Sequence, residues 1–478
     1  MSADTAARAA RKIGKSDLRR QRECAARVRK INESRAETPL SYVDTYGCQQ
    51  NEADSEKLRG MLLEMGYSPA ADGEGADVVV INTCAIRSHA EKRVLGVIGA
   101  LGHVKAERPG RVLAVCGCMP QRAGMAETLR RSYGYVDLVF GVHALWRFPE
   151  LLEKALGDKE RVFAVDGDGG AIAEGLPSAR DGSVKAWLPI MYGCDNFCTY
   201  CVVPHVRGRE RSREADDVIS EARALADSGY RDITLLGQNV NSYGRGGVDG
   251  ADFPGLLRRV NGVDGDFLIR FMTSHPKDAG EALFRAMSEC EKVARHIHLP
   301  FQAGGDRVLR AMNRGYTSGA YLALIDAARR IMPDIVITSD VIVGFPGELR
   351  EDFDATLRLV DTVRFDALFT FIYSPREGTP AAVMDDPVPK REKQAWFDEL
   401  LASQNAISAN KHAAYVGRTV RALVDGRDVG GGAWTARTNG GRLVRVAGGG
   451  IGDGDIGRFI DVKITGSAAW SLTGEKKE

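Results

Sequence analysis

The chain has 478 residues, of which 44% are hydrophobic and 27% are charged, and its formal net charge is only +1. This length exceeds what one hydrophobic core usually serves and indicates two to four domains. No run of about 18 apolar residues could cross a membrane, and the first residues lack the apolar core of a secretory signal. Nine cysteines in so long a chain do not resemble a disulfide framework. We therefore expect a soluble protein of a reducing cytoplasm, neither membrane-spanning nor disulfide-rich and secreted.

The first 37 residues are strongly basic. They contain eleven lysines and arginines against five acidic residues, a balance of +6 that leaves −5 for the rest of the chain. The low total charge therefore hides a basic segment. We interpret it as an N-terminal arm over residues 1–38.

Residues 39–155 alternate short apolar runs with stretches of helical period. This alternation predicts an open α/β domain, in which helices cover a parallel sheet. A Gly- and Asp-rich stretch follows and predicts a linker over residues 156–182. The strand candidates of the domain are "SYVDTYGC", "ADVVVINTC", "RVLAVCGC" and "VDLVFGV".

A longer alternation of strands and helices occupies residues 183–412. Six such units over about 230 residues predict a partial or complete (β/α) barrel, a fold whose chemistry lies at the carboxyl ends of its strands. The strand candidates are "AWLPIMYG", "DITLLGQNV", "FLIRFMTS", "ARHIHLPF", "DIVITSDVIVG" and "ALFTFIYS".

From residue 413 to residue 476 the chain is β-rich and has no segment of helix length. This pattern predicts a small antiparallel β-barrel. The fold class is thus α/β, with an N-terminal open parallel domain, a central barrel and a C-terminal β-barrel. The candidate strands of the last domain are "TVRALVDG", "AWTARTNG", "RLVRVAG" and "RFIDVKITG".

Three cysteines lie close together in "YGCDNFCTYCVVP": Cys194, Cys198 and Cys201. Zinc sites usually have a second cysteine pair, and none follows here. A redox couple needs only two thiols and leaves Cys194 without a role. Three thiolates suit a 4Fe-4S cluster with one iron left open, at the carboxyl end of the first barrel strand. We favour the cluster and keep zinc and a redox pair as alternatives.

Cys48, Cys84 and Cys118 are far apart in the sequence, but each follows the end of a predicted strand. The carboxyl ends of neighbouring strands in an open α/β sheet converge on one crevice, so three such thiols can meet one ligand. This predicts a second cluster if the three strands are neighbours. The alternative is that each cysteine is a buried small apolar residue. The remaining cysteines fall within predicted helices or a strand and are expected to pack in the core: Cys24, Cys116 and Cys290.

The motif "CDNFCTYC" at the head of an α/β barrel resembles the radical S-adenosylmethionine (SAM) superfamily, whose three cysteines hold a cluster that reduces SAM. The resemblance implies that the aromatic residue before the third cysteine lies near the adenine of SAM. It also makes the strand ends in "LLGQNVNSYG", "TSHP" and "DVIVGFPGE" candidate SAM contacts. The alternative for Gly344 and Gly347 is that they only permit tight turns. The candidate SAM-binding residues are Tyr200, Gln238, Asn239, Ser274 and Gly344.

The segments "TYGCQQNEADSE", "INTCAIRSHAEKRVLGVIG" and "GCMPQR" resemble the N-terminal domain of the methylthiotransferases, radical SAM enzymes with an auxiliary 4Fe-4S cluster. The resemblance runs from about residue 40 to the carboxyl terminus. The terminal barrel resembles a TRAM domain, an RNA-binding module. The implied cofactors are SAM and two 4Fe-4S clusters. Their implied ligands are Cys48, Cys84 and Cys118 for one cluster and Cys194, Cys198 and Cys201 for the other.

Within this family, "HLPFQAGGDRVLRAMNRGYT" and "FTFIYSPREGTPAA" resemble enzymes that modify tRNA. The resemblance implies methylthiolation of C2 of N6-isopentenyladenosine next to the anticodon. It implies two SAM molecules, one that methylates a sulfur at the auxiliary cluster and one that yields the radical for C2. The implied partners are tRNA and an electron donor such as flavodoxin or ferredoxin, and we expect a monomer. No catalytic side chain is assigned beyond the cluster ligands.

Two alternatives to this function stay open. A sister methylthiotransferase could act on threonylcarbamoyladenosine in tRNA or on an aspartate of a ribosomal protein, because both keep all six cysteines. A non-catalytic iron-sulfur protein could bind RNA and sense oxidation.

Four arginines follow the cysteine motif on alternate residues of "VRGRERSR". In an extended segment alternate residues face one side, and beside a site that admits a polyanion we expect phosphate contacts. The alternative is a solvated stripe. The basic arm and the terminal barrel would add sequence-independent affinity. The candidate RNA-binding residues are Arg207, Arg209, Arg211 and Arg213.

Overall fold

The structure is a computed structural model, and it divides the chain into two compact units. The N-terminal unit comprises Met1–Asp181, Met191–Asp195 and Cys201–Arg213. The C-terminal unit comprises Gly182–Ile190, Asn196–Tyr200 and Glu214–Glu478. The residues that the structure describes are 11–85, 88–157, 160–165, 170–180, 182, 184–245, 250–428, 432–447 and 450–477. No helix within these ranges is long and apolar enough to cross a membrane.

The N-terminal unit contains a parallel sheet of six strands. Its elements are α1 (Lys15–Glu33), β1 (Leu40–Tyr46), α2 (Gln49–Glu64), β2 (Ser68–Pro69), β3 (Val78–Thr83), α3 (Ser88–Glu107), β4 (Val112–Gly117), α4 (Met125–Ser132), β5 (Leu138–Gly141), α5 (Phe148–Gly157) and β6 (Val162–Ala164). The strand order is β2-β1-β3-β4-β5-β6. Every residue of β3 and β4 is buried, as expected for central strands of a parallel sheet with both faces covered. The predicted open α/β domain is confirmed.

Part of the predicted linker belongs to this unit. Strand β6, which lies inside the predicted range 156–182, pairs in parallel with β5. The amide of Ala179 donates to the carbonyl of Glu56 at 2.8 Å, and Ile172 pairs with Lys12. The prediction of a linker is therefore wrong for residues 162–164 and 170–180, because a few apolar and backbone contacts suffice to hold an edge segment. Linker residues 158–159, 166–169 and 181 lie outside the described residues.

The basic segment is mostly a packed helix and not a separate arm. One face of α1 is buried, with Cys24, Ala25 and Val28 at most 5% exposed. Ala25 and Val28 share a core cluster with Leu58 of α2 and Leu151 of α5. The charged residues occupy the outer face, so the local excess of charge concealed an amphipathic stripe. The arm prediction is wrong for residues 15–33, and residues 1–10 lie outside the described residues.

Removing buried atoms from α1 should destabilise the whole N-terminal unit. Val28→Ala is expected to lower the free energy of unfolding by about 2 kcal/mol, because Val28 is fully buried. Arg19→Ala removes only an exposed ion pair with Glu23 and should change it by about 0.5 kcal/mol or less. Urea unfolding of the two variants measures the difference. Equal effects would show that α1 is not part of the cooperative core.

Short elements flank the cysteine-rich segment: β7 (Lys185–Pro189), β8 (Met191–Tyr192), α6 (Val203–Arg207) and β9 (Arg211–Ser212). Strands β8 and β9 form an antiparallel ribbon, in which Tyr192 pairs with Arg211. The predicted first barrel strand "AWLPIMYG" is therefore divided, because its last part pairs with β9. The cysteine loop follows β8 and not β7 directly.

The C-terminal unit contains six parallel strands in chain order. Its helices are α7 (Ala215–Asp227), α8 (Phe253–Asn261), α9 (Glu281–Glu289), α10 (Asp306–Ala311), α11 (Ser318–Ile331), α12 (Arg350–Val363) and α13 (Lys390–Ala413). Its further strands are β10 (Asp232–Leu236), β11 (Leu268–Met272), β12 (His296–His298), β13 (Val336–Val343) and β14 (Ala367–Ile372). The strands form two sheets, β7-β10-β11 and β12-β13-β14. The main chain of Ile269 joins them through hydrogen bonds to Lys292 and Ala294. All six predicted strands are present, and within the described ranges β14 pairs only with β13, so the barrel is partial.

A small closed barrel ends the chain. Its strands are β15 (Thr419–Arg427), β16 (Trp434–Thr438), β17 (Leu443–Val446), β18 (Phe459–Ser467) and β19 (Leu472–Lys476), in the order β15-β16-β17-β19-β18. The barrel was predicted, but β19 was not, because this strand has one large apolar residue and an internal glycine. The prediction of a wholly antiparallel barrel is wrong at one place, since β17 and β19 are parallel.

The small barrel packs against the amino-terminal ends of the central barrel strands. Asp366, just before β14, forms a buried ion pair with Arg442. Lys185, the first residue of β7, pairs with Asp425 at 2.9 Å. The carboxyl ends of the central strands therefore lie on the other side of the barrel from this contact. The two barrels form one compact unit.

Candidate metal centres and cofactor site

The ends of three neighbouring strands bring Cys48, Cys84 and Cys118 to one edge of the N-terminal sheet. Cys84 and Cys118 directly follow β3 and β4, and Cys48 lies two residues past β1 at the start of α2. Strands β1, β3 and β4 are adjacent in the sheet. The amide of Cys118 donates to the carbonyl of Thr83 at 2.8 Å. The predicted convergence of the three strand ends is confirmed.

A glycine and a polar network set the positions of these strand ends. Gly117 has a φ of +98°, and a side chain there would approach the carbonyl oxygen of Thr83 to 2.3 Å. Only glycine fits this close approach. The side-chain amide of Asn82 donates to the carbonyl of Asn51 and to the hydroxyl of Ser55, both at 2.9 Å. These bonds lock the end of β3 to the start of α2, next to two of the thiols.

The thiol of Cys48 is ionised more readily than that of Cys118. A hydrogen bond from Cys84 is the main cause that lowers the pKa of Cys48 to about 5, and burial opposes it. The positive charge of Arg207 and the backbone N–H groups of Asn51 and Gln50 lower it further. Burial raises the pKa of Cys118, against the charge of Arg207. Thiolate is the form that binds a metal, so at least Cys48 is prepared as a ligand.

The donor set fits a 4Fe-4S cluster better than a single ion. Within the described ranges, no three histidine, cysteine or carboxylate side chains are grouped closely enough to hold one metal ion. The thiolates of a four-iron cluster each bind a different iron and need not converge on one point. The three strand-end thiols lie beside a buried cation, which would offset the negative charge of the bound thiolates. Cys48, Cys84 and Cys118 would hold such a cluster.

The buried cation is Arg207, at the end of α6. Its Nε donates to Sγ of Cys118 at 3.2 Å, and its Nη2 pairs with Oδ2 of Asp54 at 2.9 Å. Arg207 is 5% and Asp54 is 6% exposed. One guanidinium therefore links a proposed ligand sulfur to a buried carboxylate, and both interactions are strengthened because water is excluded.

Arg207→Gln should strongly destabilise the metal-free protein. It leaves the Asp54 carboxylate buried without its cation, and breaking such a pair costs about 3–5 kcal/mol. The double variant Arg207→Gln/Asp54→Asn should recover most of this loss, because no unpaired charge stays buried. Urea unfolding measures both, with Arg209→Gln as the control. If the double variant were as unstable as the single one, the charge pair would not be the cause.

Three of the six cysteines outside this edge pack in the core, as expected. Cys116 lies within β4, in the core cluster on the side of Leu138 and Phe140. Cys118 instead contacts Ala85, Val202 and Val206. Cys24 and Cys290 are buried at 1% and 3% exposure, as predicted for packing residues.

Cys194, Cys198 and Cys201 lie in the loop between β8 and α6, which contains no strand or helix. The amide of Cys194 donates to the carbonyl of Gly208 at 3.2 Å. Within the C-terminal unit, Nη1 of Arg314 donates to Sγ of Cys198 at 3.3 Å. Arg314 is 4% exposed. A second buried arginine thus donates to a proposed ligand sulfur, and the three thiols of this loop suit a cluster with one open iron.

Buried polar atoms without partners mark the carboxyl ends of the barrel strands. Oδ1 of Asn239, Oγ of Ser274, Oε1 of Gln302 and Nε2 of His275 have no hydrogen-bond partner within the described residues. They follow β10, β11 and β12. Burial lowers the pKa of His275 to about 2, so its imidazole is neutral. Leaving such atoms unpaired costs about 1–3 kcal/mol each, and a polar ligand such as SAM would satisfy them.

Among the candidate SAM contacts, Asn239 and Ser274 fit this pattern. Tyr200 packs against the cluster that contains Met312 and Phe345, and its hydroxyl accepts a hydrogen bond from Arg314 at 3.4 Å. Its placement near the adenine stays a prediction, and so does the contact of Gln238, which is partly buried.

The structure does not support Gly344 as a SAM contact. Its φ is +71°, its amide donates to the carboxylate of Glu348 at 2.5 Å, and its carbonyl accepts from Lys393 at 2.7 Å. Both backbone groups are therefore used within the protein. Gly347 also has a positive φ, of +74°. The alternative interpretation, glycines that permit tight turns, is the one that the structure supports.

The prediction that Arg207 and Arg213 contact RNA is wrong, because both are 5% exposed. Arg213 forms a two-bond pair with Glu174, at 2.8 Å and 2.6 Å. The alternation assumed an extended segment, whereas residues 203–207 are helical and place Arg207 inside the unit. Arg211 is partly buried, and burial lowers its pKa to about 10. Arg209 stays a candidate, with a side chain that is 73% exposed beside Asp195.

The residues that the sequence analysis missed are the buried polar partners of the thiols. Asp54 lies six residues after Cys48 within "GCQQNEADSE", and Arg314 lies within "MNRGYT". Both segments were singled out, but a charged residue in a motif carries no signal of burial. The pairing of charge with cysteine is visible only in three dimensions.

Three family models match the chain. The Uncharacterized protein family UPF0004 matches residues 41–141, the Radical SAM superfamily matches residues 188–360, and the TRAM domain matches residues 413–477. TsrM, a radical S-adenosylmethionine methyltransferase from Kitasatospora setae, shares the fold with a TM-score of 0.53 and 15% identity, over 72% of this chain and 75% of its own. Fold and cysteine loop thus define the class of radical SAM enzymes.

Similar curated proteins define the family within this class. The tRNA-2-methylthio-N(6)-dimethylallyladenosine synthase of Acetivibrio thermocellus is 45% identical over 468 residues, 97% of each chain. The protein of the same name from Alkaliphilus oremlandii is 47% identical over 434 residues, 91% of this chain and 92% of its own. The chain belongs to the family of the tRNA-2-methylthio-N(6)-dimethylallyladenosine synthases. The predicted family, fold class and enzyme class are confirmed.

Proposed function

We propose that the protein adds a methylthio group to C2 of N6-isopentenyladenosine next to the anticodon of tRNA. The observation that carries this proposal is the presence of two separate sets of three cysteines in a chain of this family. One set follows adjacent strands of the N-terminal sheet, and the other lies in the loop before α6. One cluster is needed to generate the radical. The second cluster would hold the sulfur that is inserted.

The chemistry requires a radical because the hydrogen on adenine C2 has no useful acidity. Two 4Fe-4S clusters and SAM, when bound, supply the radical and the methylated sulfur. The protein binds and orients them and excludes water. Cys194, Cys198 and Cys201 hold the cluster that binds SAM, and the unpaired polar atoms of Asn239 and Ser274 hold SAM itself.

The substrate is a tRNA, whose anticodon loop offers a base that can be splayed out without opening a duplex. Arg209 and the exposed cations of the small barrel contact its phosphates. We further propose a monomer in the cytoplasm that receives electrons from a flavodoxin or ferredoxin. The exposed cations of the small barrel include Arg418, Arg445, Arg458 and Lys463.

Mass analysis of tRNA nucleosides from a deletion strain tests this function. We expect loss of 2-methylthio-N6-isopentenyladenosine, accumulation of N6-isopentenyladenosine, and rescue by the wild-type gene but not by a Cys118→Ala gene. Loss of a methylthiolated threonylcarbamoyladenosine or ribosomal aspartate would identify a sister enzyme. A reconstituted protein that binds RNA but never cleaves SAM would be a sensor and not an enzyme.

A further inference from the structure

Two large aromatic side chains are exposed on the last strand of the central barrel. Phe369 is 52% and Phe371 is 43% exposed, whereas Leu368, on the opposite face of the strand, is 6% exposed. Side chains two residues apart in a strand share a face. One face of β14 thus presents two phenylalanines without an apolar cover, which marks a binding surface.

Strand pairing places this face inside the barrel. Phe369 pairs with Asp340 and Phe371 pairs with Ile342 of β13, and residues paired in this way point to the same side of the sheet. The alternate residues of β13, Ser339 and Val341, are fully buried on the opposite, helix-covered side. The phenylalanines therefore face the interior of the partial barrel.

Polar groups border the aromatic pair on one side. The rings of His298 and Phe369 meet edge to face, with centroids 5.7 Å apart. Nε2 of His298 lies 3.3 Å from Oδ1 of Asp340, whose side chain is 29% exposed. This face thus combines aromatic surface with an accessible carboxylate acceptor.

The position of β14 gives a large substrate access to this face. Within the described ranges β14 pairs only with β13, so it is the edge strand of its sheet and borders the open side of the partial barrel. The unpaired polar atoms assigned to SAM follow β10 and β11 in the other sheet. The aromatic pair is therefore separate from Asn239 and Ser274, whereas its neighbour Ile342 packs in the same apolar cluster as Tyr200, the residue predicted to lie near the adenine of SAM.

We propose that Phe369 and Phe371 form the subsite for the prenylated adenine of the tRNA, an inference that rests on the proposed function. A flat base stacks on an aromatic ring, and the five-carbon prenyl group packs against apolar surface that includes Ile342. The N6–H group of the base finds an acceptor in Asp340. The subsite thereby selects a prenylated base over an unmodified one.

The test uses the reconstituted full-length protein and two synthetic anticodon stem-loop RNAs, identical except for N6-isopentenyladenosine or adenosine next to the anticodon. Fluorescence anisotropy measures the dissociation constant of each. We expect the wild type to prefer the prenylated RNA, and Phe369→Ala and Phe371→Ala to reduce that preference by about tenfold. Affinity for SAM should be unchanged, and affinity for the unmodified RNA, which loses only the stacking of its base, should fall less than affinity for the prenylated RNA. Leu349→Ala, which truncates a side chain of similar exposure at the start of α12, is the matched control and should keep the preference.

Two results would overturn the subsite. One is a wild type that does not prefer the prenylated RNA, or alanine variants that keep the wild-type ratio of the two dissociation constants. The other is loss of SAM affinity in the alanine variants, which would assign the aromatic pair to SAM. Phe369→Leu and Phe371→Leu keep the bulk and repeat the measurement if an alanine variant does not fold. Methylthiolation by the wild type alone tests the proposed function, so the two can fail separately.

Discussion

Replacing Cys194, Cys198 and Cys201 together by alanine is expected to abolish SAM cleavage and leave one cluster in place. The wild type should contain about eight irons and the variant about four, because the N-terminal sheet keeps its own three thiols. The missing product is 5′-deoxyadenosine, measured by chromatography after anaerobic reduction. Iron content is measured on the same samples.

The control for this triple variant is Cys290→Ala. Cys290 is 3% exposed and lies in the C-terminal unit away from the cysteine loop, at the end of α9. It should keep eight irons and full SAM cleavage. Formation of 5′-deoxyadenosine by the triple variant would show that these three thiols do not hold the radical-generating cluster.

Cys116 and Cys118 differ by two positions but should respond in opposite ways to substitution. Cys118→Ala removes a thiolate beside Arg207 and should lose the auxiliary cluster and methylthiolation while SAM cleavage continues. Cys116→Ala should keep the cluster and cost about 1 kcal/mol of stability or somewhat more, because Cys116 is packed inside β4. Iron analysis with Mössbauer or EPR spectra of the two variants measures this. Cluster loss in Cys116→Ala with retention in Cys118→Ala would reverse the assignment.

Strand order decided how far the auxiliary site could be anticipated. The rule that carboxyl ends converge applies only to neighbouring strands, and the sequence does not reveal which strands are neighbours. The adjacency of β1, β3 and β4 turned three dispersed cysteines into one set. The six barrel strands were easier to predict, because each depends on a local apolar run between helical stretches.

The arginine segment shows where sequence reasoning ends. Alternation was a sound guide only if residues 207–213 were extended, and Arg207 instead ends a helix. Its burial depends on Asp54, which is 153 residues away in the chain. A charged residue is assigned to the surface by default, and only a tertiary partner overrides that. The same holds for α1, whose buried stripe was concealed by eleven cations in the segment around it.

The attachment of the small barrel to the amino-terminal ends of the central strands has a consequence for the geometry of RNA recognition. Strand β13, with eight residues, is about 25 Å long, and because barrel strands are tilted, the two ends of the central barrel are separated by somewhat less than that. The buried pair between Arg442 and Asp366 holds the small barrel at the amino-terminal end. Any RNA that touches the small barrel and the open strand ends at once must bridge this length. In such a complex, the spacing would restrict the nucleotides that reach the open strand ends to those at a set distance from the nucleotides held by the small barrel.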